Sequence, residues 1–193
     1  MKSLKKLKNR YFIIRHGESK ANVKGILLSH PREGSMSFGL SKKGRKQVKD
    51  SVAKNNLLDS DVVIYSSDFL RAKETAEIVK RLLSIKKINL HKNLRERYFG
   101  KYDKTSLNNL ITIWKEDKVN PNHKHSKVES PNKVLKRTIV LITKLEKKFK
   151  NKKILLVSHG DVLQILQTSF LNKSPSQHRE IPHLETAEIR ELK

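Results

Sequence analysis

Short apolar runs closed by turn-forming residues alternate along this chain with longer segments whose apolar positions recur every third or fourth residue. This is the pattern of buried strands joined by covering helices. The first run, Tyr11 to Ile14, is too short for a helix core and is closed by Arg15, His16 and Gly17. Val62 to Tyr65 and Ile154 to Val157 read the same way, the latter closed by Ser158, His159 and Gly160; Ile88 to Leu90 and a stretch around Ala187 to Leu192 supply shorter strands. Ser41 is the expected N-cap of a helix that turns Val48, Val52 and Ala53 inward and ends by Asn55 or Asn56. Ser66, Ser67 and Asp68 form a turn and cap for a long helix with Ala72, Thr75, Ala76, Val79, Leu82 and Leu83 facing in. Leu107 to Trp114 reads as helical. Ser130 and Pro131 start a helix carrying a stripe of Val134, Thr138, Leu141, Ile142, Leu145 and Phe149, and Val162 to Leu171 is an apolar covering helix. Ser19 to Ser37, broken by Gly25, Pro31 and Gly34, reads as a long loop. The expectation is an α/β sandwich on a mostly parallel sheet, with 193 residues making one domain, 1–193.

In open α/β sheets ligands bind beyond the carboxyl ends of the strands, where Arg15, His16 and His159 fall. A lone His-Gly is most simply a structural imidazole; two strands ending this way, the first with an arginine before its histidine, point to a reactive site instead. Arg71 falls in the first turn of its helix, where the macrodipole disfavours a cation, so an anionic partner is expected. Glu96 lies between Arg95 and Arg97 and reads locally as a surface ion pair. His123 and His125 occupy a polar insertion, Asn120 to Lys127, with no third ligand nearby, so no metal site is expected there.

The chain has no cysteine, which removes disulfides and thiolate chemistry and leaves function to His, Arg, Glu and Ser. Its formal net charge is +24, from lysines grouped in Lys2 to Lys8, Lys42 to Lys49 and Lys144 to Lys153. Such a field attracts phosphorylated small metabolites or phosphate itself, and would hold nucleic acid or an acidic surface weakly. Aromatic residues do not alternate with the basic ones, so no base-stacking platform is expected. No apolar run approaches the roughly 20 residues that cross a bilayer, and Met1 to Arg10 is basic without a secretory apolar core, so a soluble, cytoplasmic protein is expected.

Four segments in order, RHGESKAN from Arg15, YSSDFLRAKETAE from Tyr65, LRERYFG from Leu94 and LLVSHGD from Leu155, resemble the histidine phosphatase superfamily in its phosphoglycerate-mutase-like branch. The resemblance covers nearly the whole chain and implies a three-layer αβα fold. It implies His16 as nucleophile, Arg15, Arg71 and His159 around the phosphate, and Glu96 as proton donor, replacing the ion-pair reading of Glu96. Ser19, Asn22 and the backbone at Gly17 and Gly160 would complete the pocket, with no metal or other cofactor. The chain departs from the mutase pattern at Phe99, which lacks a hydroxyl, and at Lys115, Glu116 and Asp117, which stand in place of an arginine pair. These departures favour water as acceptor, hence a phosphatase. A phosphoglycerate mutase and a non-catalytic polyanion-binding protein are the competing readings. The loop from Val23 to Phe38 and the insertion Asn120 to Lys127 are expected at the pocket's mouth.

Overall fold

The computed structural model describes residues 7–193, so Lys2, Lys5 and Lys6 of the first basic run lie outside it. The described residues form a five-stranded sheet in the order β3-β2-β4-β1-β5. Its strands are β1 (Arg10–Arg15), β2 (Val63–Ser66), β3 (Ile88–Leu90), β4 (Lys153–Ser158) and β5 (Ile189–Leu192). β1, β2, β3 and β4 run parallel, and β5 joins β1 antiparallel. The helices are α1 (Lys20–Val23), α2 (Pro31–Met36), α3 (Lys42–Ala53), α4 (Leu70–Leu82), α5 (Leu110–Val119), α6 (Pro131–Lys148) and α7 (Gly160–Phe170).

The two central strands are apolar on both faces, as a sheet covered on both sides requires. Phe12, Ile14, Leu155 and Val157 point toward α3 and α4, while Tyr11, Ile13, Ile154 and Leu156 point toward α6 and α7. Each fully buried aliphatic side chain contributes about 1.5–3 kcal/mol, so this double layer fixes the register of β1 against β4. His16 extends it by one step, its N–H donating to Ser158 O at 3.0 Å. The three-layer α/β arrangement is therefore the one expected.

Local differences have local causes. The expected long loop contains two short helices, α1 and α2, the first capped by Ser19 and the second opened by Pro31. Asp68 does not cap α4. Phe69 is the N-cap residue, and Asp68 instead receives Arg95 Nε and NH2 at 2.7 and 2.6 Å, a bidentate ion pair stronger than a single cap bond. Leu82 is exposed, and Ile78 takes the inward position. The helix after Ser41 stops at Ala53, and Ser130 precedes Pro131 without a side-chain cap bond. No helix among the described residues is long and apolar enough to cross a membrane.

Candidate active site

The parallel strands β1, β4 and β2 end on one edge, and the residues just past them surround a cavity of about 220 Å³. Arg15, His16, Arg71, Glu96 and Gly160 line it, together with Ser19 and Asn22. His159 stands close behind, its ring 5.1 Å from that of His16 in an edge-to-face arrangement.

His16 is held in one tautomer. Arg71 Nε donates to His16 Nε2 at 2.9 Å, and because a guanidinium only donates, Nε2 must present its lone pair. The ring proton is then on Nδ1, which donates to Gly17 O at 2.8 Å. Burial, then Arg71, then Arg15 hold the pKa of His16 well below its ordinary value, so the ring is neutral.

The arginines are anchored yet incompletely used. Arg71 NH2 donates to Leu28 O at 3.0 Å and lies 3.8 Å from Glu96 Oε2, which supplies the anionic partner expected from its place in α4. Arg15 NH1 reaches Leu184 O at 2.9 Å and His183 Nε2 at 2.8 Å. Arg15 Nε, Arg71 NH1 and His159 Nδ1 are buried without a hydrogen-bond partner among the described residues. Each such group costs about 1–3 kcal/mol unsatisfied. His159 Nε2 lies 2.9 Å from Ser67 Oγ, which itself accepts the Phe69 N–H, while Nδ1 sits 3.8 Å from Glu96 Oε2. Burial, then Arg71 and His16, keep His159 well below its ordinary pKa.

Glu96 is placed by its neighbours. Arg95 turns out to Asp68, and the fully buried Arg97 turns inward to Asp117 at 2.5 and 2.6 Å and to Asp161 at 3.2 Å. Both flanking cations therefore point away, and the Glu96 carboxyl faces Arg71 and His159. Burial raises its pKa from 4.5 to about 7; Arg71 opposes the rise and Asp161 adds to it.

The remaining expected pocket residues behave unequally. Gly17 does not line the cavity, because its N–H donates to Thr75 Oγ1 at 3.2 Å and its carbonyl receives the His16 proton. Its missing Cβ allows the backbone of Gly44 in α3 to pack against it. Ser19 lines the wall, but its hydroxyl is spent on α1, donating to Asn22 Oδ1 at 2.8 Å and accepting Asn22 N–H at 3.2 Å. Asn22 thus has only its amide NH2 to offer. Gly160 opens α7, and a Cβ there would lie 3.4 Å from Arg15 Nε.

Sequence reasoning missed Asp161, which lines the cavity while accepting from Trp114 Nε1 at 3.1 Å and from Arg97. It also missed His183, which no local pattern distinguishes. Ile26, Leu27 and Leu28 bring the expected loop to the wall, but Asn120 to Lys127 does not reach it; Leu107, Leu110 and Trp114 line that side instead. Within the insertion His123 is buried against Asp117, with Nε2 2.7 Å from Oδ1. Among the described residues no group of three or more His, Asp or Glu is arranged to hold a metal ion.

The chain is 26% identical over 167 residues to a metal-independent phosphoserine phosphatase of Arabidopsis thaliana, covering 80% of this chain but only 65% of that protein. It is 24% identical over 163 residues to the uncharacterized phosphatase PhoE of Bacillus subtilis, covering 84% of this chain and 78% of the relative. A mycobacterial glucosyl-3-phosphoglycerate phosphatase shares the fold with a TM-score of 0.76 at 19% identity, over 94% of this chain and 88% of that one. The structure of YhfR from Bacillus stearothermophilus does so with a TM-score of 0.77 at 22% identity, over 95% and 90%. The family model for the histidine phosphatase superfamily, branch 1, matches residues 11–193, the stretch that holds both His-Gly strand ends, Arg71 and Glu96. The chain belongs to branch 1 of the histidine phosphatase superfamily.

Proposed function

We propose that this chain, with residues 1–193 acting as one catalytic domain, is a metal-independent phosphatase that hydrolyses phosphate monoesters through a phosphohistidine on His16. One observation carries the reading: three buried, unpartnered nitrogens, on Arg15, Arg71 and His159, gather around His16 and Glu96. A phosphoryl group supplies oxygens for such donors, and neutralising those oxygens is most of the catalytic work in phosphoryl transfer.

As the phosphate arrives, Arg71 Nε turns from His16 to a phosphate oxygen and frees the Nε2 lone pair. The Nε2–phosphorus bond forms while the bond from phosphorus to the ester oxygen breaks, and that oxygen takes a proton from Glu96. Gly17 O stays on Nδ1–H and supports the positive charge that the ring acquires. Water then attacks phosphorus and gives its proton to Glu96, the P–N bond breaks and Nε2 recovers its lone pair. A carboxyl with a pKa of about 7 suits both directions near neutrality.

Water is favoured as acceptor by what the cavity lacks. Phe99 offers no hydroxyl, and Asp117, in the segment where a mutase carries arginines, is fully buried under Arg97. The Arabidopsis relative makes amino-acid phosphates the first substrates to screen. The test is hydrolysis of an aryl phosphate in the presence of chelator by wild type and His16→Ala, with quenching in alkaline denaturant. Turnover with an acid-labile phosphoprotein, both lost in His16→Ala, is expected. Folded wild-type protein giving neither would overturn the proposal in favour of polyanion binding; transfer to a glycerate in preference to water would favour the mutase.

A further inference from the structure

A second and larger cleft, about 730 Å³, opens on the other side of the Glu96 segment. Its wall carries Lys92, Arg95, Lys124, Lys127, Lys133 and Arg137, set against Glu96 and Glu129. The catalytic cavity, by contrast, balances Arg15 and Arg71 against Glu96 and Asp161. Of these two cavities, the one with the excess of positive charge is therefore the second, next to the proton donor.

Two of these cations are already committed. Arg95 is bidentate on Asp68, and Arg137 is held by Glu129 at 2.9 and 3.1 Å and by the carbonyls of Asn93 and Arg95. Lys92, Lys124, Lys127 and Lys133 have no carboxylate partner among the described residues. They come from two separate parts of the chain, Lys92 and the stretch 124–133, and meet in one concavity, where like charges of this kind focus the field on an incoming anion. Lys133 also lies in the first turn of α6, whose positive dipole end reinforces it and which has no acidic residue there to offset it.

The basic loop is fixed to the Glu96 segment. Glu129 N donates to Tyr98 O at 2.8 Å, and Gly100, with φ +56°, packs against the backbone of Ser126 and Lys127 so closely that a Cβ would collide with both. Ser126 and Lys127 hold positive φ, 49° and 61°, although neither is glycine. Such strain persists only where the surroundings impose it.

We infer that this cleft is a subsite for anionic groups on the leaving portion of the substrate, so that the preferred substrates are phosphate monoesters carrying a second phosphate or carboxylate. In-line displacement places the leaving group on the side of phosphorus away from His16. The acid that protonates it must lie there too, and Glu96 borders both cavities. The inference rests on the phosphatase reading for its chemistry, but binding tests it independently.

The probes are α,ω-alkanediol bisphosphates of increasing chain length and the matching monophosphates, which differ only in the remote phosphate. In wild type one chain length should show a kcat/KM ratio, bisphosphate over monophosphate, of roughly tenfold at low salt, the gain from one charge-assisted contact. In Lys124→Gln/Lys127→Gln the ratio should fall to near unity. By calorimetry on His16→Ala, adding the same two substitutions should weaken that bisphosphate roughly tenfold and the monophosphate little. A bisphosphate affinity that matches the monophosphate at every length, or a preference that survives the lysine substitutions, overturns the inference. Absence of turnover with all probes would remove the phosphatase reading, and calorimetry would still decide the subsite.

Discussion

Replacing Glu96 with Gln should make the protein more stable and a worse catalyst, with a stability gain that grows as pH rises from 4.5 to about 7 and is constant above that. Burial raises the Glu96 pKa from 4.5 to about 7, so between those values the folded state binds a proton that the unfolded state has released. Stability then falls as pH rises through that window and levels off above it. A displacement of this size corresponds to roughly 3 kcal/mol at alkaline pH. Gln is neutral at every pH and nearly the same shape, so the variant escapes the penalty. His16 and His159, held below their ordinary pKa, act in the opposite sense, since acid protonates them first in the unfolded chain. They are common to both proteins and cancel in the difference. Urea unfolding in phosphate-free buffer should show the variant's advantage growing by roughly 2–3 kcal/mol between pH 5 and pH 8. The same substitution should slow transfer to alkyl phosphates far more than it weakens phosphate binding. An advantage that is the same at both pH values would refute the argument, because a packing effect does not titrate.

Arg71→Lys keeps the charge but loses the planar fork that serves His16 and Leu28 O together and leaves NH1 unpartnered. It should lower kcat/KM roughly 100-fold or more while urea unfolding changes little. Arg97→Met leaves Asp117 and Asp161 facing each other in the interior without their cation. The cost should be about 3–5 kcal/mol, read as a lower urea midpoint. Gly100→Ala puts a Cβ at φ +56° against the backbone of Ser126 and Lys127, and should destabilise by at least roughly 1–2 kcal/mol; unchanged unfolding would show that the loop is not pinned there.

The parts of the site written as strand endings are legible in the sequence. Tyr11 to Ile14 and Ile154 to Val157 are apolar because both faces are covered, so the residues immediately after each run must sit at the sheet's carboxyl edge. Arg71 is legible from its unfavourable place in a helix. Glu96 is legible only through the resemblance of LRERYFG to the family; its local context is two arginines, and only the long-range partners Asp68 and Asp117 explain why both turn away. The same kind of pairing moved Asp68 off the helix cap and drew His123 into the interior beside Asp117. His183 reaches Arg15 across most of the chain, and no periodicity encodes that meeting.

The bond between Arg71 Nε and His16 Nε2 has a consequence for selectivity among reagents. On the proposed mechanism, the nucleophile is corked at rest by the very group that later assists it. A ligand rich in negative oxygen competes for the guanidinium and uncovers the lone pair as it docks. A neutral electrophile of the same size has nothing with which to draw Arg71 aside, and finds the ring nitrogen occupied. The lock on this histidine is therefore opened by the charge of the phosphate and not by its shape.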